Sequence, residues 1–161
     1  MTTFDQLGIK ESILAGLKDM GFKVAFPIQE AAIPVLLSGR DVVGQAHTGT
    51  GKTAAFAITM LQAITPGKGI QGLVIAPTRE LAIQITGEMR KFGKYTGIKT
   101  ATIYGGQGMG TQLGSLAKGV EILVATPGRL IDHIKRGSIK LNDVSHLVLD
   151  EADTMLDMGF I

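Results

Sequence analysis

The stretch Ala46-His-Thr-Gly-Thr-Gly-Lys-Thr53 decides the fold of this chain, because it follows a β-branched run and leads into an apolar helical pattern. Its glycines let consecutive backbone N–H groups turn inward around phosphate oxygens, and the following helix N-terminus adds positive potential. Lys52 has the length to reach β- and γ-phosphates, and the Thr53 hydroxyl suits Mg²⁺. The stretch predicts a phosphate-binding loop. The alternative is a glycine-rich turn that caps a helix and leaves Lys52 in solvent.

On both sides of this loop, short β-branched runs alternate with helical patterns. Strands are predicted at residues 41–46, 72–76, 99–104, 121–125 and 146–149. Helices are predicted at residues 10–20, 27–38, 53–64, 79–92, 110–118 and 127–136. This alternation predicts an α/β fold with a parallel sheet and helices on both faces, in which ligands bind at the carboxyl ends of the strands.

Two carboxylates follow the last predicted strand, in the sequence Asp150-Glu-Ala-Asp153. Asp150 is suited to hold Mg²⁺, and Glu151 is suited to orient or deprotonate an attacking water. The alternative for Asp150 is an acidic N-cap of the segment 152–158. A phosphate-binding loop and an acidic strand end together predict nucleoside triphosphate hydrolysis, with Lys52, Asp150 and Glu151 as the catalytic residues.

The composition excludes several other classes of protein. The chain has 161 residues, 45% of them hydrophobic, and a net charge of +2, which fits one globular domain and not a disordered or strongly basic chain. It has no cysteine, which excludes disulfides, thiolate zinc sites and cysteine nucleophiles. The longest apolar stretch, at 54–64, is too short to span a bilayer, and the N-terminus lacks the features of a signal peptide. A cytoplasmic protein is therefore expected.

Five segments together resemble the signature motifs of DEAD-box RNA helicases, in the order of that family and over essentially the whole chain. The segments are Ala46–Thr53, Pro77–Gln84, Gly105-Gly106, Thr126–Arg129 and Asp150–Asp153. The resemblance implies a RecA-like P-loop fold in which residues 1–161 form the N-terminal, ATP-binding domain. Within it, 1–38 would be the adenine-reading helical segment and 39–161 the P-loop core. The nucleotide contacts implied in the loop are Ala46, His47, Thr48, Gly49, Thr50, Gly51, Lys52 and Thr53, although a solvent-facing His47 is the alternative for that residue.

The same resemblance assigns adenine recognition to the segment Gly21–Gln29, in which Phe22 is one of the expected contacts. Gln29 is the expected adenine reader, because an amide offers a donor and an acceptor that match the adenine N6/N7 edge. Phe4, 17 residues before Gly21, is the aromatic expected to stack on the base. Taken alone, Phe4 would be a core residue and Gln29 a residue of the helix surface.

Two residues of that segment depart from the family pattern. Ala25 and Phe26 stand where the family usually has Pro and Thr or Ser. The missing hydroxyl removes the usual hydrogen bond between this segment and the P-loop, so weaker adenine selectivity is expected.

The resemblance also implies a surface that binds the RNA backbone. Its expected residues are Pro77, Thr78, Arg79, Gly105, Gly106, Thr126, Pro127, Gly128 and Arg129. Backbone N–H groups at helix N-termini, with threonine hydroxyls and arginines, hold successive phosphates without reading bases, which predicts sequence-independent binding of single-stranded or duplex RNA. On local grounds alone, Thr126-Pro127 is simply an N-cap followed by a first-turn proline. The preference for RNA over DNA comes from the resemblance only.

The resemblance stops at Ile161, whereas family members continue with a Ser-Ala-Thr segment and a second RecA-like domain that carries an arginine finger. The chain alone is therefore expected to hydrolyse ATP weakly or not at all. In such folds the next strand lies between the P-loop strand and the acidic strand, so an incomplete sheet and self-association through an unpaired edge are expected. The alternatives to an RNA-dependent ATPase are a P-loop ATPase that does not act on nucleic acid and a non-catalytic nucleotide-binding fragment.

Overall fold

The computed structural model describes residues 1–160, in which helices and short strands alternate along most of the chain. In chain order the elements are a 3₁₀ helix at Phe4–Leu7, α1 (Glu11–Asp19), α2 (Pro27–Leu37), α3 (Lys52–Ala63), β1 (Gly72–Ile75), α4 (Arg79–Phe92), β2 (Thr100–Ile103), α5 (Met109–Ala117), β3 (Ile122–Ala125), α6 (Pro127–Arg136), β4 (His146–Leu149) and α7 (Ala152–Asp157). They form two compact units, the first comprising residues 1–64 and 88–97 and the second residues 65–87 and those from 98 onward. None of the helices within 1–160 has the length and hydrophobicity needed to cross a membrane.

The second unit contains a sheet of four parallel strands in the order β2-β3-β1-β4. Gly72 of β1 aligns with Ile122 of β3 and with His146 of β4, and Ile122 also aligns with Thr100 of β2. Helix α5 packs against β2. The predicted α/β fold with a parallel sheet is therefore confirmed.

The apolar core of the second unit is centred on β3, which is buried at all four positions, as expected for an inner strand of a parallel sheet. The core cluster consists of Leu73, Ala101, Ile103, Val120, Leu123, Ala125 and Leu130. At the edge of the sheet, β4 is far more open, with Leu147 59% and Leu149 43% exposed. β4 is more exposed than β3 because it lies at the edge of the sheet and has a paired neighbour on one side only.

The strand predicted at residues 41–46 is wrong. These residues have no strand conformation, and none of the strands in the described part of the chain pairs with them. The Val43 side chain is 102% exposed. The physical reason is that a β-branched run becomes a strand only beside a partner that satisfies its N–H and C=O groups.

Helices α2 and α6 begin where the sequence predicts, because each starts at a proline. Pro27 and Pro127 occupy the first turn, where the missing N–H costs nothing, and the residues before them, Phe26 and Thr126, have extended backbones. Helix α6 ends at Gly137, which takes the left-handed conformation with φ 66°.

Gly16 lies where the backbone of α1 meets the end of α4 in the first unit. A Cβ atom at this position would lie 2.3 Å from the carbonyl oxygen of Phe92. We expect Gly16→Ala to lower the free energy of unfolding by about 1–3 kcal/mol, since a backbone carbonyl cannot move aside as a side chain can. Urea unfolding of the variant measures this loss.

Gly114→Ala is the matched control for that substitution. Gly114 lies within α5, and a Cβ atom there would meet nothing within 4 Å. We expect this variant to gain up to about 1 kcal/mol from helix propensity. Equal changes in the two variants would contradict the close approach at Gly16.

Candidate nucleotide and nucleic-acid sites

The predicted phosphate-binding loop leads directly into α3, whose first residue is Lys52. Gly49 and Gly51 have φ angles of 81° and 88°, a backbone region that glycine adopts without strain. The loop therefore reverses direction immediately before a helix N-terminus, and its free N–H groups and the helix dipole favour an anion there.

Two side-chain hydrogen bonds close the loop on itself. The Thr50 hydroxyl donates to the carbonyl of His47 at 2.5 Å, and the Lys52 Nζ donates to the carbonyl of Ala46 at 2.7 Å. His47 and Thr48 are exposed, in agreement with a solvent-facing His47, while Thr53 is half-buried in the first turn of α3. Lys52 thus links the start of α3 to the first residue of the loop.

Gln29 connects α2 with the phosphate-binding loop inside the first unit. Its side chain is fully buried, its Oε1 accepts from the backbone N–H of Phe26 at 2.9 Å, and its Nε2 donates to the carbonyl of Gly51 at 3.1 Å. A hydrogen bond between this segment and the P-loop is therefore present without a hydroxyl at position 26. The Phe26 ring, 51% exposed, packs beside Gly51, where a Cβ atom would lie 3.0 Å from its Cδ2.

The aromatic residues predicted to contact adenine form a cluster in the first unit. Phe4 is only 2% exposed, and its ring centroid lies 6.1 Å from that of Phe22. Phe22 in turn meets Phe92 edge-on at 5.4 Å. Phe4 presents almost no open face in this structure, so base stacking by Phe4 stays a prediction.

In the second unit, the segments predicted to bind RNA follow three neighbouring strands of the sheet. The strand order places Gly105-Gly106 after β2, Thr126–Arg129 after β3 and Pro77–Arg79 after β1, side by side at the carboxyl edge. The pairing continues past the strands, since the N–H of Thr126 donates to Ile103 and that of Asp150 donates to Ile75. The row of loops therefore has a defined order, with the acidic segment after β4 at its end.

Arg79 is the most accessible cation of this row. Its side chain is 55% exposed, and it forms an ion pair with Glu80 at 3.3 Å. The Nη1 atom lies 3.8 Å from the Cβ position of Gly106, so the guanidinium reaches the loop after β2. Thr78 acts as the N-cap of α4, because its hydroxyl accepts from the N–H of Leu81 at 3.2 Å. Thr78 is itself exposed.

Arg129 points into the protein, with only 14% of its side chain exposed. Its Nη1 donates to the carbonyl of Gln107 at 2.9 Å and to Oε1 of Gln112 at 3.1 Å, and its Nε lies 3.7 Å from a carboxylate oxygen of Asp132. The guanidinium therefore joins α6 to the loop after β2. Contact of Arg129 with a phosphate stays a prediction.

The remaining predicted RNA residues differ in accessibility. Gly105, Gly106 and Gly128 are exposed and Thr126 is half-buried. Pro77 and Pro127 are buried at the starts of α4 and α6. The prolines therefore shape these loops, while the exposed residues offer backbone N–H groups to a ligand.

The acidic segment contains a strained residue. Glu151 has φ 50° and ψ 50°, and it is the only residue other than glycine with a positive φ in the described range 1–160. Such a left-handed backbone costs roughly 1–2 kcal/mol and is found preferentially at functional sites. The N–H of Glu151 donates to Oδ1 of Asp150 at 3.1 Å, and the Glu151 side chain is exposed.

Sequence reasoning missed two buried polar residues of the second unit, Gln112 and His133, which are 1% and 0% exposed. The available signal was the spacing of His133 in α6, since Pro127, Leu130 and His133 recur every third residue and are all buried. Gln112 had no such signal, because its partners lie in other elements.

Known proteins resemble the chain over its whole length. The DEAD/DEAH box helicase family profile matches residues 26–161. The chain is 51% identical to the DEAD-box ATP-dependent RNA helicase CshA of Bacillus cereus (strain ATCC 10987 / NRS 248), covering 100% of this chain and 31% of that protein. It is 53% identical to the ATP-dependent RNA helicase DeaD of Escherichia coli (strain K12), covering 99% of this chain and 26% of that protein.

Solved structures agree with these matches. A DEAD box protein from the hyperthermophile Methanococcus jannaschii superposes with a TM-score of 0.95 and 41% identity, over 100% of this chain and 44% of that one. A hypothetical ATP-dependent RNA helicase from Sulfolobus tokodaii superposes with a TM-score of 0.87 over 94% of this chain and 44% of its own. The chain spans less than a third of the two curated relatives above. With its fold, its motifs and these matches in agreement, the chain belongs to the DEAD/DEAH box helicase family.

Proposed function

We propose that this chain is the ATP-binding part of an RNA-dependent ATPase that remodels RNA in the cytoplasm. The observation that carries the proposal is the row of loops at the carboxyl edge of the sheet, in which a glycine pair and the starts of α6 and α4 stand beside an acidic strand end. The relatives are RNA helicases by name, which supports RNA as the polymer. Backbone N–H groups recognise phosphates and not bases, which supports binding without sequence preference.

ATP is the proposed nucleotide, with its phosphates on the loop 46–53 and its adenine near Gln29. The closed glycine turn before α3 supports the phosphate assignment, and the Gln29–Gly51 hydrogen bond joins Gln29 to that loop. Lys52 would neutralise the β- and γ-phosphates, and Glu151 would orient or deprotonate the attacking water.

Mg²⁺ is the metal ion proposed to accompany ATP. The Thr53 hydroxyl and the Asp150 carboxylate are the oxygen donors that Mg²⁺ prefers, and phosphate oxygens complete its shell. Residues 1–160 contain no group of three or more His, Asp or Glu side chains that forms a metal site by itself, which fits an ion that arrives with the nucleotide. When bound, the ion would offset negative charge on the phosphates.

The RNA-binding proposal predicts a specific loss in Arg79→Ala. Because Arg79 is exposed and reaches the loop after β2, its removal is expected to weaken binding of single-stranded RNA about tenfold, equally for oligo-U and mixed sequences. The slope of log Kd against log salt should fall by about one. Fluorescence anisotropy of labelled RNA measures both quantities.

Lys68→Ala is the matched control for Arg79→Ala. Lys68 is an exposed cation before β1, whereas Arg79 follows that strand. The control removes the same charge at the amino end of the strand and is expected to bind RNA as before. Equal losses would indicate non-specific attraction, and ATP binding without any RNA binding would favour an ATPase that does not act on nucleic acid.

Self-association through the sheet edge is also proposed. The exposed Leu147 and Leu149 on edge strand β4 support it, because open apolar edges are templates for pairing with a second copy. Light scattering is expected to show dimers that become more abundant with concentration, and Leu147→Lys should shift the equilibrium to monomer. A monomer at all concentrations would contradict this proposal.

A further inference from the structure

A group of four polar side chains, here called the Gln112 cluster, lies between the loop after β2 and helix α6 of the second unit, and two of the four, Gln112 and His133, are buried. Its members are Gln112, Arg129, His133 and Ser138. The Gln112 Nε2 donates to the carbonyl of Tyr104 at 2.8 Å and to Oε1 of Gln107 at 3.0 Å. The Gln112 amide therefore holds both ends of the loop that contains Gly105 and Gly106.

The hydrogen-bond partners determine which atom of the Gln112 amide is the oxygen and which is the nitrogen. Arginine has donors only, so the Gln112 atom 3.1 Å from Arg129 Nη1 must be the oxygen. The same oxygen lies 3.0 Å from Nε2 of His133. An oxygen acceptor can pair only with a protonated nitrogen, and His133 therefore carries a hydrogen on Nε2.

The other ring nitrogen of His133 faces a hydroxyl. Nδ1 lies 2.7 Å from Oγ of Ser138, and a hydroxyl can either donate or accept. Burial and the nearby Arg129 and Arg136 lower the pKa of His133, against a smaller opposing effect of Asp132. The neutral ring is therefore favoured, with hydrogen on Nε2. Its Nδ1 then accepts the single hydroxyl hydrogen of Ser138, which is directed to Nδ1 and not to the His133 carbonyl oxygen 3.1 Å from the same Oγ.

This arrangement links two of the loops proposed to bind RNA. The Gln112 Nε2 holds the loop after β2, and its Oε1 accepts from Arg129 in the first turn of α6 and from His133 in the second. The distance between the N–H groups of Gly105-Gly106 and that of Gly128 decides whether both loops meet phosphates of one strand. Positional errors well below 1 Å weaken such sites.

We infer that His133 is a positioning residue for RNA binding, in which its Nε2–H fixes the Gln112 amide and thereby the spacing of the loops after β2 and β3. The inference rests on the proposed function, since it assumes that these loops bind RNA. His133 itself touches no ligand, and its contribution is to supply a second donor to Gln112 Oε1.

The first test reads the tautomer directly in the unaltered chain. Long-range ¹H–¹⁵N correlation spectra of the imidazole rings distinguish hydrogen on Nε2 from hydrogen on Nδ1, and His47→Ala and His146→Ala assign the three signals. We expect the Nε2–H form for His133 at neutral pH. The Nδ1–H form would overturn the inference, because the Gln112 oxygen would then face an unprotonated nitrogen.

The second test compares two substitutions of His133 by RNA anisotropy. His133→Leu fills the space without a donor and is expected to weaken RNA binding about tenfold while ATP affinity is unchanged. His133→Gln returns an amide donor near the Nε2 position and is expected to bind within about twofold of the unaltered chain. Thermal unfolding checks that each variant is folded. If His133→Leu does not fold, the tautomer measurement and the RNA affinity of His133→Gln test the positioning role.

The outcomes separate this inference from the proposed function. An unaltered chain that binds no RNA would contradict the proposed function itself. RNA binding that is normal in the unaltered chain and equally strong in His133→Leu would overturn only the positioning role. Binding that is lost in His133→Leu and restored in His133→Gln supports both.

Discussion

Lys52→Ala is expected to weaken ATP binding about 30- to 100-fold, the largest effect of any single substitution in the phosphate-binding loop. ATP would lose the charge-assisted hydrogen bonds from the lysine to its phosphates. The loop would lose the hydrogen bond from Lys52 Nζ to the Ala46 carbonyl. ATP and GTP should be affected alike, because the proposed contacts of Lys52 are with phosphates and not with the base. Titration with fluorescent ATP and GTP analogues in Mg²⁺ measures both affinities.

Two further variants control for charge and fold. Lys18→Ala removes an exposed lysine from α1 of the same unit and is expected to leave ATP affinity unchanged. Lys52→Arg keeps the charge but not the shape of the ammonium and should recover only part of the affinity. The loss of a charge-assisted hydrogen bond lowers affinity by far more than about threefold. If Lys52→Ala binds ATP within about threefold of the original affinity, the proposed nucleotide site is contradicted.

Gln29→Ala is expected to reduce ATP affinity about tenfold and to bring the ATP and GTP affinities close to each other. The substitution leaves the N–H of Phe26 and the carbonyl of Gly51 without the buried amide that pairs them. The P-loop therefore loses a support, and the base loses the group proposed to match the adenine edge. The same titrations measure both effects, and urea unfolding measures the accompanying loss of stability.

Gln29→Glu separates the two roles of that amide. A carboxylate can still accept from the N–H of Phe26, but it cannot donate to the Gly51 carbonyl or to a nucleobase. We expect the helix start to be kept and the preference for ATP to be lost. An ATP preference that survives in both variants would show that another residue reads adenine.

The sequence predicts the second unit well because its signals are local. Pro127 and Arg136 bound α6 as expected, and β4 begins at His146 and ends at Leu149 as expected, since turn residues and β-branched runs set these limits. The order of the loops at the carboxyl edge was not predictable in this way. It depends on strand pairing between residues 50 positions apart, such as Gly72 and Ile122.

The features that the sequence could not predict depend on distant partners. Residues 41–46 have the composition of a strand, but composition cannot supply a neighbouring strand. The orientation of Arg129 was likewise not foreseeable, because the acceptors that draw its guanidinium inward belong to Gln107 and Gln112. The local sequence pattern identifies these residues as candidates for a site, but it does not predict the orientation of their side chains.

The left-handed backbone of Glu151 has a consequence for protein engineering. Glycine adopts φ 50° and ψ 50° freely, and asparagine adopts it more easily than glutamate. A directed-evolution screen that rewards heat resistance alone would therefore enrich replacements at this position and discard the carboxylate proposed to activate water. Thermostability favours glycine or asparagine at this position, whereas the proposed activation of water requires glutamate. A stabilised version of this domain therefore has to be selected with Glu151 held fixed.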